Sequence, residues 1–280
     1  MRIAAFFSLV FCALGLQAQQ EILIKSMYHP EKVYLTSALM TMKGEINLEG
    51  DEDIMEQIAQ SGTTFPVKLD GLNEVELTLS TSARDADGTL PATMTYDKMK
   101  ISMQMNGMEQ GGDSPFTGME IKGRYDVEGS FMVESAKGLG EEFSQEDMSN
   151  TINKLQQFVG FPDKPLKVGD TFTMKVPLDI PVSSMSGLSV YTESDYTVRE
   201  INPTSVLLDI VIRLAMDSGQ EVMGAAATGT GTGTCVYDRA ETIITSYEFD
   251  MDYSIKMDVQ RIMTMTFKMI SHTKQSTRVK

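Results

Sequence analysis

Tryptophan is absent from the 280-residue chain, which has only two cysteines and two histidines. His29 and His272 lie far apart, with no Cys or His partner at metal-ligand spacing, so no zinc-type ligand set is present. A serine triad would need one of the same two histidines. No strand-Gly-x-Ser-x-Gly-helix elbow exists either: Ser184-Met185-Ser186-Gly187 lacks the first glycine and a following helix. Basic residues are also scarce, 24 against 39 acidic, giving a net charge of −15. Phosphate backbones and anionic head groups repel such a chain, which disfavours nucleic acid and electrostatic docking to a membrane. Beyond the N-terminus no segment approaches the roughly 18 uninterrupted apolar residues of a membrane helix.

The acidic excess does not organise into a site. Glu49, Asp51, Glu52 and Asp53, like Asp85-Ala86-Asp87-Gly88, lack the distal bidentate Glu of a calcium loop and read as turn chemistry and a helix N-terminus. Carboxylate pairs are too plentiful for any to mark glycoside hydrolysis. No nucleophile, base and orienting group can be assembled, so the expectation is a protein without catalytic residues, metal or cofactor.

The N-terminus is an export signal by its composition. Arg2 is followed by an apolar run from Ile3 to Leu14, and then by Leu16-Gln17-Ala18 with small or neutral residues where a signal peptidase reads. A basic start, short apolar middle and small-residue exit predict cleavage after Ala18 and a periplasmic or surface location. Cys12 follows Phe11 rather than a small residue, which argues against lipidation. Removing the leader leaves Cys235 alone, either a buried thiol or a partner in an intermolecular bridge.

What is abundant is methionine, 22 residues, and alternation of period two. Methionine fills irregular apolar space and adapts to varied partners. From Tyr247 to Met269 the odd positions are almost all apolar, among them Phe249, Met251, Tyr253, Ile255, Met257 and Met265. The even ones include Glu248, Asp250, Asp252 and Asp258. That is the pattern of antiparallel strands covered on one face. The run is too long for one strand, so a turn is expected near Gln260 or Arg261. Shorter versions recur at Val33 to Leu48, Val75 to Ser80, Met99 to Met105, Tyr125 to Val133, Thr171 to Ile180, Val190 to Glu200 and Ser205 to Leu214. Turn signals separate them at Asp70-Gly71, Asp87-Gly88, Gly111-Gly112-Asp113, Gly169-Asp170, Asn202-Pro203 and Ser218-Gly219.

Two segments read as helix. Ser144 and Asp147 form a capping signature ahead of Met148, Ile152, Leu155, Phe158 and Val159 at helical spacing, with Gly160 and Pro162 as a stop. Its apolar stripe needs a partner, and the apolar face of a sheet is the one in supply. A second, weaker helix is expected from Glu52 to Gln60, ended by Gly62. The turn pairs Tyr125-Asp126 and Tyr237-Asp238 sit in similar β surroundings on either side of the first helix, which suggests a duplicated β unit.

The stretch Thr228 to Thr234 alternates threonine with Gly229, Gly231 and Gly233, so one face of that strand is bare. Such a stripe marks close approach of another body, and two readings stay open. It lets the sheet curl against the helix of Met148 to Val159, or it leaves room for a ligand chain along a Met-lined concavity.

The stretch from Gly160-Phe161-Pro162-Asp163 through Val168-Gly169-Asp170-Thr171-Phe172, the leader ending in Gln-Ala-Gln and the late Gly-Thr-Gly-Thr-Gly strand resemble a group of exported bacteroidete proteins of unknown function. The resemblance covers most of the chain after the leader and implies the curved, incomplete barrel of the lipoprotein-carrier fold, a sheet wrapped around a helix. It transfers no functional residue.

The expected protein is mainly β: a curved antiparallel sheet or incomplete barrel of two similar β halves around a central amphipathic helix. The boundaries are 1–18 for the leader, 19–140 for the first half, 141–160 for the helix and 161–280 for the second half. The expected function is non-catalytic binding of a lipid-like apolar or amphipathic molecule in the envelope. Its lining is drawn from Met148, Ile152, Leu155, Gly229, Gly231, Gly233, Met251, Met257 and Met265. The alternative is a structural or interaction component with a closed core and an envelope protein partner. An outer-membrane barrel fits less well, because the polar strand faces are too charged to meet lipid.

Overall fold

A computed structural model describes residues 21–60, 62, 64–114, 116–137, 146, 149–150, 152–153, 161–178, 190–216, 224–259 and 262–280. The period-two segments become twelve strands among these residues. The first six are β1 (Val33–Gly50), β2 (Val67–Thr81), β3 (Leu90–Met105), β4 (Met108–Asp113), β5 (Glu120–Tyr125) and β6 (Phe131–Lys137). The rest are β7 (Thr171–Leu178), β8 (Val190–Ile201), β9 (Ser205–Met216), β10 (Ala225–Asp238), β11 (Ile243–Val259) and β12 (Met263–Val279). They form one curved, unclosed antiparallel sheet in the order β6-β5-β3-β2-β1-β12-β11-β10-β9-β8-β7, with β4 hanging from β3.

This order is a meander broken once. Along the chain, consecutive strands are joined by pairing on both flanks, and the first and last strands meet in the middle, where Tyr34 faces Val279 and Gly50 faces Met263. The chain leaves β6 at one edge and re-enters at β7 on the other. β1 has 18 residues and β11 and β12 have 17 each, so the central strands run to about 60 Å at the strand rise.

Several turn signals were read differently by the fold. Asp70-Gly71 is not a turn but lies inside β2, where the Met42 side chain of β1 comes within 3.0 Å of where a Gly71 Cβ would sit. Gly111-Gly112-Asp113 lies inside β4, and the reversal that feeds β4 falls at Asn106-Gly107, both at positive φ (50° and 82°), the backbone of a two-residue hairpin. Tyr125 to Val133 is two strands, split by a turn in which the Asp126 carboxylate accepts the Glu128 and Ser130 N–H groups. The turns at Asp87-Gly88, Gly169-Asp170 and Asn202-Pro203 stand as turns or bends between strands. Ser218-Gly219 and Gln260-Arg261 lie outside the described residues, although Val259 facing Met263 places the last reversal between those two.

Helix α1 (Glu52–Gln60) links β1 to β2 where the sequence placed it. Glu52 and Asp53 in its first turn favour the positive end of the helix dipole. The Gly62 N–H donates to the Ala59 carbonyl at 3.0 Å, and Gly62 has a φ of 85°. Not one residue of α1 is buried. No helix among the described residues is long and apolar enough to cross a membrane. Of the expected 141–160 helix, Met148, Leu155, Phe158 and Val159 lie outside the described residues, while 149–150 and 152–153 are helical.

Two apolar cores form on the same face of the sheet, hereafter the inner face. One gathers Tyr196, Leu208, Ile210, Cys235, Met251 and Met257 from the β7 to β11 flank. The other gathers Tyr34, Leu79, Leu90, Tyr125, Phe131 and Ile152 from the β6 to β1 flank. Each fully buried large side chain in them contributes about 1.5–3 kcal/mol. A strap from Ile22 to His29 ties the two together across one end. Ile22 bridges Leu166 with a 2.8 Å hydrogen bond in each direction, and Ile24 is buried in the first core. The Tyr237 hydroxyl donates to the Lys25 carbonyl, and Tyr28 packs against Tyr34 and Tyr125 of the second core.

Candidate functional site

The pairing register sorts every strand into an inner and an outer series. On β1 the inner series is Tyr34, Thr36, Ala38, Met40, Met42, Gly44, Ile46 and Leu48; on β12 it is the odd positions from Met263 to Val279. Following the register across the eleven-strand path, no Asp, Glu, Lys or Arg stands at an inner position among the described side chains. The charge lies outside, in pairs such as Lys274 with Glu248 at 3.1 Å and Arg213 with Asp195 at 2.6 Å. Exposed pairs of this kind contribute about 0–1 kcal/mol each. Alternation thus puts the charges of the described strands on one side of the sheet.

Large parts of this inner face belong to neither core. Met40, Met42, Ile46, Leu48, Leu69 and Met269 are all half-buried and lie between or below the two cores. Ile101 and Met103 on β3 are 43% and 36% exposed. Water-facing apolar surface at inner positions of a curved sheet makes this trough the candidate site. The strap of residues 22–29 covers one end, near Tyr34 and Tyr237. The other end, near Gly50 and Met263, has α1 beside it with Ile54, Met55 and Ile58 half-buried.

The residues expected to line a site are divided by the fold. Met251 and Met257 are buried in the β7–β11 core, and Met265 is packed against it directly opposite Met257. Ile152 is buried in the other core, so the structure does not bring it together with them. Met148 and Leu155 lie outside the described residues. Gly229, Gly231 and Gly233 are inner residues of β10 facing Tyr253, Met251 and Phe249 of β11. A Cβ added to Gly229 or Gly233 would stand 2.5 Å from the Cβ of its β11 partner, and one on Gly231 would stand 2.5 Å from the Asp250 carbonyl. At Cβ depth the glycine stripe is thus approached by strand β11. Met40, Met42, Ile46 and Leu48 were missed as lining, although their alternation along β1 signalled one shared face.

Part of the segment 146–153 sits on the β6 edge. The Asn153 carboxamide accepts the Phe131 N–H at 2.7 Å and donates to the Phe131 carbonyl at 2.9 Å, and Ser149 Oγ accepts the Val133 N–H at 2.9 Å. Four residues of helix rise about 6 Å and two residues of strand about 6.8 Å, so an i, i+4 pair of side chains matches alternate edge groups of a strand. Among the described residues these side chains, rather than a further strand, meet the edge of β6.

Burial disfavours the charged form of the thiol and the phenols inside. Cys235 is fully buried, and desolvation pushes its thiol up to about 12. Burial likewise raises Tyr196, helped by Tyr247, whose hydroxyl lies 3.3 Å away. His29 contacts Thr242 at 3.0 Å on the strap, and His272 contacts Asp250 at 2.9 Å on the outer face, so the two histidines share no site. Two open depressions, of about 300 and 410 Å³, are rimmed by charged residues. The first lies by Glu49, Asp51 and Asp258; the second, on the outer face, lies by Lys43, Glu45, Lys68 and Asp70. Neither is enclosed.

No protein-family model matches the chain, and no curated protein is similar to it.

Proposed function

We propose that this is an exported, non-catalytic envelope protein that binds an apolar or amphipathic, lipid-like molecule on the inner face of its sheet. One observation carries the reading: half-buried apolar residues, Met40, Met42, Ile46 and Leu48 foremost, occupy inner positions outside both cores on a face without charge. The methionine excess suits a surface that adapts to its guest. On this reading residues 1–18 are a leader removed on export to the periplasm or cell surface. The 141–160 helix and the two similar halves belong to the same proposal. Ile152, Ser149 and Asn153, set against the β6 flank, support the helix. Tyr125-Asp126 and Tyr237-Asp238 support the halves: each pair closes on a turn in which the aspartate accepts two backbone N–H groups.

Native mass spectrometry with organic extraction, on protein purified without detergent from a bacterial periplasm, tests the reading. A lipid-sized mass lost on denaturation is expected. A bare polypeptide mass, unchanged after incubation with envelope lipids, would overturn it. The alternative, a structural or interaction component, is favoured by the outer edge of β7, with which no strand pairs among the described residues.

A further inference from the structure

The inner series of β12 changes character half-way along. Met263, Met265, Phe267 and Met269 are followed by Ser271, Thr273, Gln275 and Thr277, all uncharged and all on the same face. Neighbouring strands extend the polar half: Thr36 on β1 lies 2.9 Å from Thr277, hydroxyl to hydroxyl, and Asn73 on β2 stands across Met40 from Thr273. Asn73 Oδ1 and Thr273 Oγ1 are buried and have no hydrogen-bond partner. Their strands are two spacings apart, about 10 Å between backbones, with only the flexible Met40 side chain registered between them. Buried polar atoms are ordinarily satisfied, so this pair is an unmet demand for a hydrogen-bonding group at the middle of the trough. The group must be uncharged, because a carboxylate or phosphate here would be desolvated with no cation at any inner position among the described residues.

Resting on the binding reading above, we propose that the ligand is a neutral amphiphile with a hydroxyl-bearing head, of the acylglycerol kind. Its head lies over Asn73, Thr273 and Gln275, with Met40 turned aside, and its chain runs along Met269, Phe267 and Met265 toward Gly50. The orientation follows from the fold. The polar half of β12 ends beneath the strap of residues 22–29, whereas the methionine half runs to the end that the strap does not cover.

Displacement of the hydrocarbon probe diphenylhexatriene from the purified protein at pH 8 separates the possibilities. Monopalmitoylglycerol should displace the probe at a concentration about tenfold lower than palmitate, which shares the chain but carries a charge; one charge-neutral hydrogen-bonded head is worth a factor of that order. Asn73→Leu with Gln275→Leu should abolish the advantage of monopalmitoylglycerol, read as the ratio of the two displacing concentrations on the same variant. Equal or better competition by palmitate, or an advantage that survives in the double variant, overturns the head-group assignment alone. Failure of the wild-type protein to bind the probe or either amphiphile overturns the binding reading beneath it.

Discussion

Replacing Gly233 by alanine tests what the glycine stripe of β10 is for. The new Cβ would stand 2.5 Å from the Phe249 Cβ and closer still to the Glu248 carbonyl oxygen, both on a strand whose position is fixed by β12 on its far side. Real Cβ contacts do not approach so near, so β10 and β11 must separate locally. Overpacking of this kind costs about 1–3 kcal/mol, offset by about 0.4–1 kcal/mol because alanine restricts the unfolded chain. The net expectation is a loss of about 1–2 kcal/mol, or a fall in Tm of roughly 2–8 °C for a chain of this size. Gly112→Ala on β4 is the control, since nothing lies within 4 Å of its added Cβ. It should be neutral or gain up to about 1 kcal/mol. Urea unfolding followed by far-UV circular dichroism measures both. If Gly233→Ala is as stable as the parent and merely takes up less apolar probe, the reasoning is refuted and the stripe is ligand space.

Cys235 should ignore Ellman's reagent at pH 8 in the folded protein and react once urea exposes it. Because burial raises its thiol from 9.0 to about 12, the unfolded chain loses that proton first and stability falls as pH rises. The thiol's share of the slope approaches about 1.4 kcal/mol per pH unit; the buried tyrosines, raised from 10.0 by the same desolvation, add to the fall, so the slope should be shallower in Cys235→Ala by the thiol's share alone. Ser149→Ala with Asn153→Ala strips the β6 edge of its partners. Light scattering should show concentration-dependent association of the double variant, and a loss of about 1–3 kcal/mol should accompany each backbone group left buried and unpaired. A monodisperse variant of unchanged stability would show that the edge is protected by something else. Ile54→Gln with Met55→Gln on α1 should shift stability by less than about 1 kcal/mol, since neither residue is buried. A larger loss in thermal melting would mean that the helix is held to the sheet by its apolar stripe.

Sequence alone was enough for everything that depends on local periodicity. Alternation from Tyr247 to Met269 decides which side chains share a face whatever the strand pairs with, because successive residues must point to opposite sides. The bounds of α1 follow from its acidic first turn and the glycine beyond its end, both local. The same alternation keeps charge off the inner face, and it contained the lining of β1 before any fold was known. Only the tertiary structure decided the partners. Nothing within Val33 to Gly50 or within Met263 to Val279 says that these strands pair over their full length at the centre of the sheet; that register is set by contacts more than 200 residues apart. Asp70-Gly71 lies within a strand where the Met42 side chain occupies the space that glycine leaves, and the glycines of β10 face β11 through the pairing of the two strands. Ile152 and Met251, grouped by hydrophobicity, went to different cores because the chain crosses from one edge of the sheet to the other between them. Burial, edge protection and the unsatisfied pair of Asn73 and Thr273 are products of packing between distant segments, and no local pattern encodes them.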